Sequence, residues 1–244
     1  MESIRVSVMI PAYNGGKFLA HQIDSIIPML GKSDEIVISV DKSTDDTLQI
    51  AREYSNIDKR IHVFLNNGKR GVWSNSMNAL KHVRGEYIFP CDQDDEWIND
   101  KIDVVMKHFD DESVLAVVHD GYVCDSELNV IGDTISKRLS TNDSLFDNFR
   151  HNTISGCCYA FRRSLINVLL DTPLTPDAAD QWNGMSALIL GKLDIDKNIL
   201  VKHRIHENNY TPKTKRKLSK RLYGRVCLVI NIIWLVLNKK KYRH

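Results

Sequence analysis

Hydrophobic positions along this chain alternate between two periods. Val6, Val8 and Ile10 repeat every second residue, which predicts a strand over 4–10. Pro11-Ala12-Tyr13-Asn14-Gly15-Gly16 should end it, because Pro and paired Gly interrupt regular structure. The spacing then becomes helical, with Leu19, Ile23, Ile26, Ile27 and Leu30 on one side. The exchange repeats. A strand over 35–40 ends at Asp41, and Ser43-Thr44-Asp45-Asp46 caps a helix running to about Tyr54. A strand over 61–65 leads to the loop Asn66-Asn67-Gly68-Lys69-Arg70-Gly71, then to a helix carrying Val72, Trp73, Met77 and Leu80. A fourth strand covers 86–91. Strands alternating with helices in this way predict an α/β fold with a mostly parallel central sheet flanked by helices.

The second half is less regular. A strand over 114–118 ends in His119-Asp120, and a short helix covers 144–150. Asn152 to Cys158 leads into apolar Tyr159-Ala160-Phe161, followed by a helix over 164–170. Asp180-Gln181-Trp182 opens a helix with Met185, Ile189 and Leu190, and a short last strand covers 199–201. No repeat or low-complexity linker precedes residue 211, so one domain is expected over 1–210 and a separate tail over 211–244.

Charge sharpens that division. The whole chain has a net charge of +2, but residues 213–244 hold 11 Lys and Arg and no acid. The remainder therefore carries 22 basic against 31 acidic residues. An acidic body with a basic tail points to an anionic partner for the tail. Five cysteines without a CxxC pair do not suggest a disulfide framework, and no apolar run follows a basic start, so a reducing cytoplasm is expected.

In parallel α/β sheets, ligands bind beyond the carboxyl ends of the strands. Pro11 to Asn14, Asp41, Asn66 to Gly71 and Asp92 to Asp95 all fall there. Cys91-Asp92-Gln93-Asp94-Asp95-Glu96-Trp97 places four carboxylates in five residues, on a predicted strand-to-helix turn. Such crowding raises carboxyl pKa values unless a cation is present. Mg²⁺ or Mn²⁺ meets the need, taking oxygen ligands and leaving positions for phosphates. The plainer reading is a solvated acidic loop in which Asn99 or Asp100 caps the next helix.

Taken together, these segments resemble glycosyltransferase family 2, the inverting nucleotide-sugar transferases of GT-A-type fold. Ser7 to Asn14 is similar to that family's opening strand and nucleotide loop, and Asp92-Gln93-Asp94-Asp95 to its DxD-type metal motif. Val40-Asp41-Lys42 departs from the family's second-strand motif, so only Asp41 carries over as a base-contacting carboxylate. Arg204-Ile205-His206-Glu207-Asn208-Asn209 is most like bacterial rhamnosyltransferase-type members. Asp180-Gln181-Trp182 resembles their Asp-Trp pair with one residue inserted, which implies Asp180 as catalytic base, with Asp177 as the alternative.

The resemblance implies a metal held by Asp92, Asp94 and Asp95. It implies a nucleotide and donor site of Pro11, Tyr13, Asn14, Asp41, Arg70, Asp92, Gly156, Arg204 and His206. The expected donor is a UDP- or dTDP-linked sugar, with rhamnose among the candidates, and the expected acceptor a glycan or lipid-linked sugar of cell-surface polysaccharide. His119-Asp120 either lines the acceptor pocket or ends a strand, Trp97 and Trp182 are expected to pack, and His108 and His151 have no expected role. Two other classes compete. A sugar-1-phosphate nucleotidyltransferase needs a glycine-rich, Arg-containing first loop, and Pro11 to Lys17 lacks it. A non-catalytic membrane-docked module would not need Asp92, Asp94, Asp95 and Asp180.

Val226 to Leu237 is a twelve-residue apolar run with one Asn and basic residues on both sides. As a helix it rises about 18 Å, short of the roughly 30 Å hydrocarbon core. It is therefore expected to lie in the interface of an anionic inner leaflet, making the protein peripheral, with no role for nucleic acid. A C-terminal helix packed on the body is the alternative.

Overall fold

The computed structural model describes residues 3–176, 178–207 and 218–242. The predicted alternation builds the first half. Strand β1 (Val6–Ala12) is followed by helix α1 (Leu19–Ile26), β2 (Asp34–Val40), α2 (Thr47–Ile57), β3 (Ile61–Leu65), α3 (Val72–His82) and β4 (Tyr87–Pro90). Period two sorts side chains between two cores. Val6, Val8, Ile10 and Ala12 of β1 share one with Ile36, Ile38 and Val40 of β2, against Leu19, Ile23 and Ile26 of α1. Met9 and Val37 face the other, against Ala79 and Leu80 of α3. Each such Val, Leu or Ile contributes about 1.5–3 kcal/mol on full burial.

The second half comprises β5 (Glu96–Trp97), α4 (Lys101–Met106), β6 (Val114–Cys124), α5 (Ile135–Leu139) and α6 (Leu145–Arg150), then β7 (Tyr159–Arg162), α7 (Ser164–Asp171), α8 (Ala179–Leu190), β8 (Lys192–Arg204) and α9 (Leu218–Tyr242). All strands join one sheet in the order β3-β2-β1-β4-β7-β6-β8-β5. Pairing is parallel from β3 through β4 and between β6 and β8, while β7 runs antiparallel to both its neighbours. The fold is α/β of GT-A type, with a mixed rather than uniformly parallel sheet.

Several sequence expectations need correction. Pro11 does not break β1, which continues to Ala12. The Met9 carbonyl accepts from Cys91 N–H on the β4 side, and β4 has ended by the time the chain reaches Pro11. The N–H that proline lacks would have pointed to that side, so its loss removes no bond between β1 and β2. The acidic turn does not pass straight into a helix, because β5 intervenes and pairs with β8. Asn99 and Asp100 take left-handed backbone angles (φ 56° and 50°), and Asp100 makes no side-chain cap bond to α4. Strand β8 has thirteen residues rather than three, and α5 was not foreseen. Trp97 and Trp182 pack in the core as expected.

His108, given no role by sequence, ties the end of the α4 region to β8. Its Nδ1 lies 2.8 Å from Asp194 and its Nε2 2.7 Å from Asp196. Partial burial disfavours the charged ring, but the two carboxylates outweigh it and raise the His108 pKa above its ordinary 6.5. Folding thus takes up a proton between the unfolded and folded values. The stabilisation is complete below about pH 6.5 and fades as pH rises through the folded value. Thermal melts of His108→Gln should therefore fall furthest below the parent near about pH 5.5, and the gap should narrow by about pH 9. A gap that is constant or grows with pH would show that the clamp does not act through its charge.

Candidate active site

The carboxyl ends of β1, β2 and β3 lie side by side, with Ala12 beside Val40 and Val40 beside Leu65. Their loops are laced together by short polar side chains. Asn14 Oδ1 accepts from Thr44 N–H at 2.9 Å, Asn14 N–H donates to Ser43 Oγ at 3.1 Å, and Gly15 N–H donates to Thr47 Oγ1 at 2.8 Å. Asp41 is buried and accepts from Lys42 N–H at 2.9 Å and Gly71 N–H at 3.0 Å. Gly71 has φ +125°, a conformation costly for any residue with a Cβ, so glycine is what brings this amide to Asp41. Arg70 donates to the Lys42 carbonyl at 3.3 Å, and the Tyr13 side chain stands half exposed above the rim.

The acidic turn after β4 is held from two directions. Gln93 points toward β1, where its Oε1 accepts from Tyr13 N–H at 2.8 Å and its Nε2 donates to the Tyr13 carbonyl at 3.0 Å. A Cβ on Gly15 would come within 2.1 Å of that same amide oxygen. On the other side, the end of β8 engages the acids. Asp95 Oδ1 accepts from Arg204 N–H at 3.0 Å and lies 2.9 Å from His203 Nδ1. Asp94 Oδ2 lies 2.8 Å from His206 Nε2, and the Asp94 carbonyl accepts from Arg204 Nε at 2.7 Å. Arg204 also donates to the Ser126 carbonyl and lies over the Phe18 ring, so it braces the turn from behind.

Burial pushes the Asp94 and Asp95 carboxyls above the usual carboxylate range, each helped by a neighbouring anion and opposed by its histidine. Surrounding protein and the Asp95 charge push Asp92 up as well. Asp92 itself is exposed to solvent. The Asp95 charge in turn raises His203. This donor set fits a divalent cation: Asp94 and His206 converge, and Asp92, two residues before Asp94, is exposed to solvent.

Asp180 stands at the start of α8. Its Oδ1 accepts from Gln181 N–H at 2.8 Å, and burial raises its pKa. A Cβ on Gly156 would lie 4.0 Å from Asp180 Oδ2, so the two residues are neighbours. The next residue, Cys157, has its sulfur within 4.8 Å of an Asp92 oxygen, so Asp180 and the acidic turn both lie close to this turn. His119 is buried within β6, with Nδ1 2.8 Å from the Asp120 carbonyl, and does not line a rim. Asp177, Asn208 and Asn209 lie outside the described residues.

The sequence profile of Glycosyl transferase family 2 matches residues 7–170. The chain belongs to this family. The putative teichuronic acid biosynthesis glycosyltransferase TuaG of Bacillus subtilis is 31% identical over 153 residues, covering 62% of this chain and 59% of that protein. A GalNAc(5)-diNAcBac-PP-undecaprenol beta-1,3-glucosyltransferase of Campylobacter jejuni is 35% identical over 104 residues, 42% of this chain and 34% of its own length. The chain thus spans less than two thirds of each of these relatives. Among solved structures, S. aureus TarS 1-349 in complex with UDP-GlcNAc superposes over 98% of this chain and 70% of its own, with TM-score 0.69 and 18% identity.

For a family-2 glycosyltransferase, two parts of this site were missed by sequence reasoning. His203 carried a visible signal, standing between Lys202 and Arg204 in a basic run. Lys101 carried none. It is fully buried, donates to the Cys157 carbonyl at 2.9 Å, and lies 4.1 Å over the Trp97 ring.

Gln93 is predicted to be a positioning residue for the first loop. Each lost bond is worth about 1 kcal/mol, roughly a fivefold change in local opening. Hydrogen exchange of the Tyr13 amide should therefore quicken about fivefold in Gln93→Ala while the sheet amides stay as they were. Unchanged exchange at Tyr13 would show that another contact holds the loop.

Proposed function

We propose that this protein is a metal-dependent inverting glycosyltransferase. It moves a sugar from a nucleoside-diphosphate donor to a glycan or lipid-linked acceptor in cell-surface polysaccharide synthesis. One observation carries the reading: the Gly156-Cys157 turn lies near both Asp180, a carboxylate with raised pKa, and the Asp92-to-Asp95 turn. A base must stand opposite the leaving group for direct displacement, and the nearness of Asp180 to the acidic turn supports that role.

Asp41, fixed by two backbone amides, retains lone pairs to accept from the ring N–H of uracil or thymine. Tyr13 packs on the base, and Pro11 and Asn14 shape the loop beneath it. Arg70 reaches toward the diphosphate. Asp94 and His206 would hold Mg²⁺ or Mn²⁺ with Asp92 beside them. The cation, when bound, neutralises the departing diphosphate. Asp180 takes the acceptor hydroxyl proton as that oxygen attacks the anomeric carbon. The bond to the diphosphate oxygen breaks with its electron pair, inverting the centre. Gly156 leaves room for the donor sugar. UDP is favoured by the likeness to TarS with UDP-GlcNAc, with dTDP the other candidate, and rhamnose belongs in the donor panel because of the Arg204-to-Asn209 motif.

The tail reading takes a different form from its sequence version. Helix α9 includes Leu222–Tyr242, 21 residues long and apolar enough by length and composition to cross a membrane. However, Cys227, Leu228, Asn231, Leu235 and Tyr242 are buried, and Asn231 exchanges hydrogen bonds with the Leu174 backbone at 3.2 and 2.8 Å. A span would have to break these contacts. Val226, Val229, Ile230, Ile233, Val236 and Leu237 are exposed instead, at helical spacing on the outer side. Lys239, Lys240 and Lys241 follow. We infer that this face lies in the interface of the anionic inner leaflet, which suits a peripheral enzyme with a lipid-linked acceptor.

Two outcomes test the catalytic reading with a panel of nucleotide sugars and nucleoside-diphosphate release as readout. Asp94→Asn should abolish metal-dependent nucleotide binding with the fold intact. Asp180→Asn should lower kcat by about 10²-fold or more with donor affinity kept. Full activity in excess chelator, or an unimpaired Asp180→Asn, contradicts it.

Flotation with anionic liposomes tests the tail. Ending the chain at Tyr210 would uncover the apolar surface beneath α9, so substitutions on the outer face are the cleaner comparison. The parent should float and an Ile233→Glu, Val236→Glu double variant should not. Equal flotation of the two excludes this face as the anchor.

A further inference from the structure

Beside the Asp94–His206 pair lies a second convergence, which shares only Asp92 with the proposed donor site. Asp92, Asp95, Cys157 and His203 each place one donor atom within 4.8 Å of all the others. They come from three separate segments: the acidic turn, the tight turn over Gly156–Cys158, and the end of β8. His203 Nδ1 is 2.9 Å from Asp95 Oδ1 and 3.7 Å from Cys157 Sγ. Asp95 is 1% exposed, and its second oxygen is buried with no hydrogen-bond partner among the described residues. An ion pair with His203 alone leaves that oxygen unexplained, since a buried acceptor without a partner costs about 1–3 kcal/mol.

One thiol, one imidazole and two carboxylates make a mixed soft and hard set. Mg²⁺ prefers six oxygens, whereas Zn²⁺ takes four S, N and O ligands in a tetrahedron. Bond lengths of about 2.0–2.3 Å put tetrahedral ligand atoms about 3.3–3.8 Å apart. The widest pair here therefore needs to close by about 1 Å. Ser155 Oγ, 3.4 Å from Cys157 Sγ, and Arg204 N–H on Asp95 orient the ligands from outside. A thiolate and two carboxylates exceed the cation's charge by one. The buried Lys101 ammonium on the Cys157 carbonyl stands where it offsets that excess. Asp92, open to the cleft, gives the ion its access.

We propose that Asp92, Asp95, Cys157 and His203 form a site for zinc or a similarly thiophilic divalent cation, distinct from the site of the donor's cation. A cation seated there draws Asp92 away from the donor cleft and so opposes nucleotide binding. Cys157 Sγ and His203 Nδ1 must both be unprotonated to ligate, so binding sends the protons they hold to solvent.

Cobalt(II) is the probe, added to the full chain without nucleotide. The wild type should show a near-ultraviolet thiolate-to-cobalt band together with tetrahedral visible bands, and zinc should abolish both. Cys157→Ser should lose the near-ultraviolet band and bind zinc at least about tenfold more weakly. His203→Asn should shift the visible bands, which keeps the test alive if the serine variant folds poorly. Asp94→Asn should keep all the bands while losing the donor's cation, so failure of the transferase reading and failure of this one are separable. Zinc should weaken UDP binding in Mn²⁺ buffer for the wild type at a concentration that leaves Cys157→Ser unaffected. The proposal is overturned by a wild type without the thiolate band, by a band that survives Cys157→Ser and so belongs to another cysteine, or by zinc that affects UDP binding equally in both proteins.

Discussion

Mutual repulsion among Asp92, Asp94 and Asp95 is the constraint around which this structure is built. Three carboxylates in four residues do not hold one geometry unaided, and the end of β8 with the residues after it engages Asp94 and Asp95 while Asp92 stays exposed. The last residues of β8 give Asp95 a backbone N–H and an imidazole, and Arg204 takes the Asp94 carbonyl while His206 reaches the Asp94 carboxylate. Gln93, between the acids, turns the opposite way and fixes the first loop. The turn that ends β4 is therefore shaped by residues about a hundred positions later. This is why β8 must be long: one end is pinned by His108 and the other carries the rim.

Charge balance beneath the rim follows from the same constraint. An unpaired buried ammonium is costly, and burial lowers the Lys101 pKa. Lys101 is nevertheless kept at the first turn of α4, under the acids, with Cys157 as hydrogen-bond partner and Trp97 as cation–π partner. The same lysine helps hold His119 neutral, although burial is the larger cause of that low pKa. Asn99 and Asp100, in left-handed conformations that these two residue types tolerate best, turn the chain so that Lys101 faces inward. A cation built into the floor lowers the cost of an anionic cleft before any ligand arrives.

The first ninety residues were legible because their signal is local. Each strand and helix there announces itself by its own period, and each break by Pro, Gly or a cap, so even the rim could be located by position. The second half depends on pairing at a distance. The segment Lys192-Leu193-Asp194-Ile195-Asp196-Lys197-Asn198 looks like a charged loop, yet it is strand because β6 and His108 supply partners. Glu96-Trp97 is too short to show a period and exists as a strand only because β8 lies beside it. The acidic candidates stood out in the sequence, since carboxylates at strand ends are conspicuous. What sequence could not assign was which partner each acid faces: Arg204 and Asp95 look inward to bracing, and His206 looks to Asp94.

Arg225 of helix α9 donates to the carbonyl of Arg150 at the end of α6, while Gln181, next to Asp180, donates to the Asn148 carbonyl within α6. The beginning of α9 is thus linked through α6 to the end of α8 that carries Asp180, and its far end bonds Asp171 at the close of α7. The loops after β1, β2 and β3 lie across the sheet, on the side remote from β7 and β8. The contacts of α9 thus run to the half of the sheet that holds β7 and β8, and the loops after β1, β2 and β3 owe their shape to one another and to Gln93.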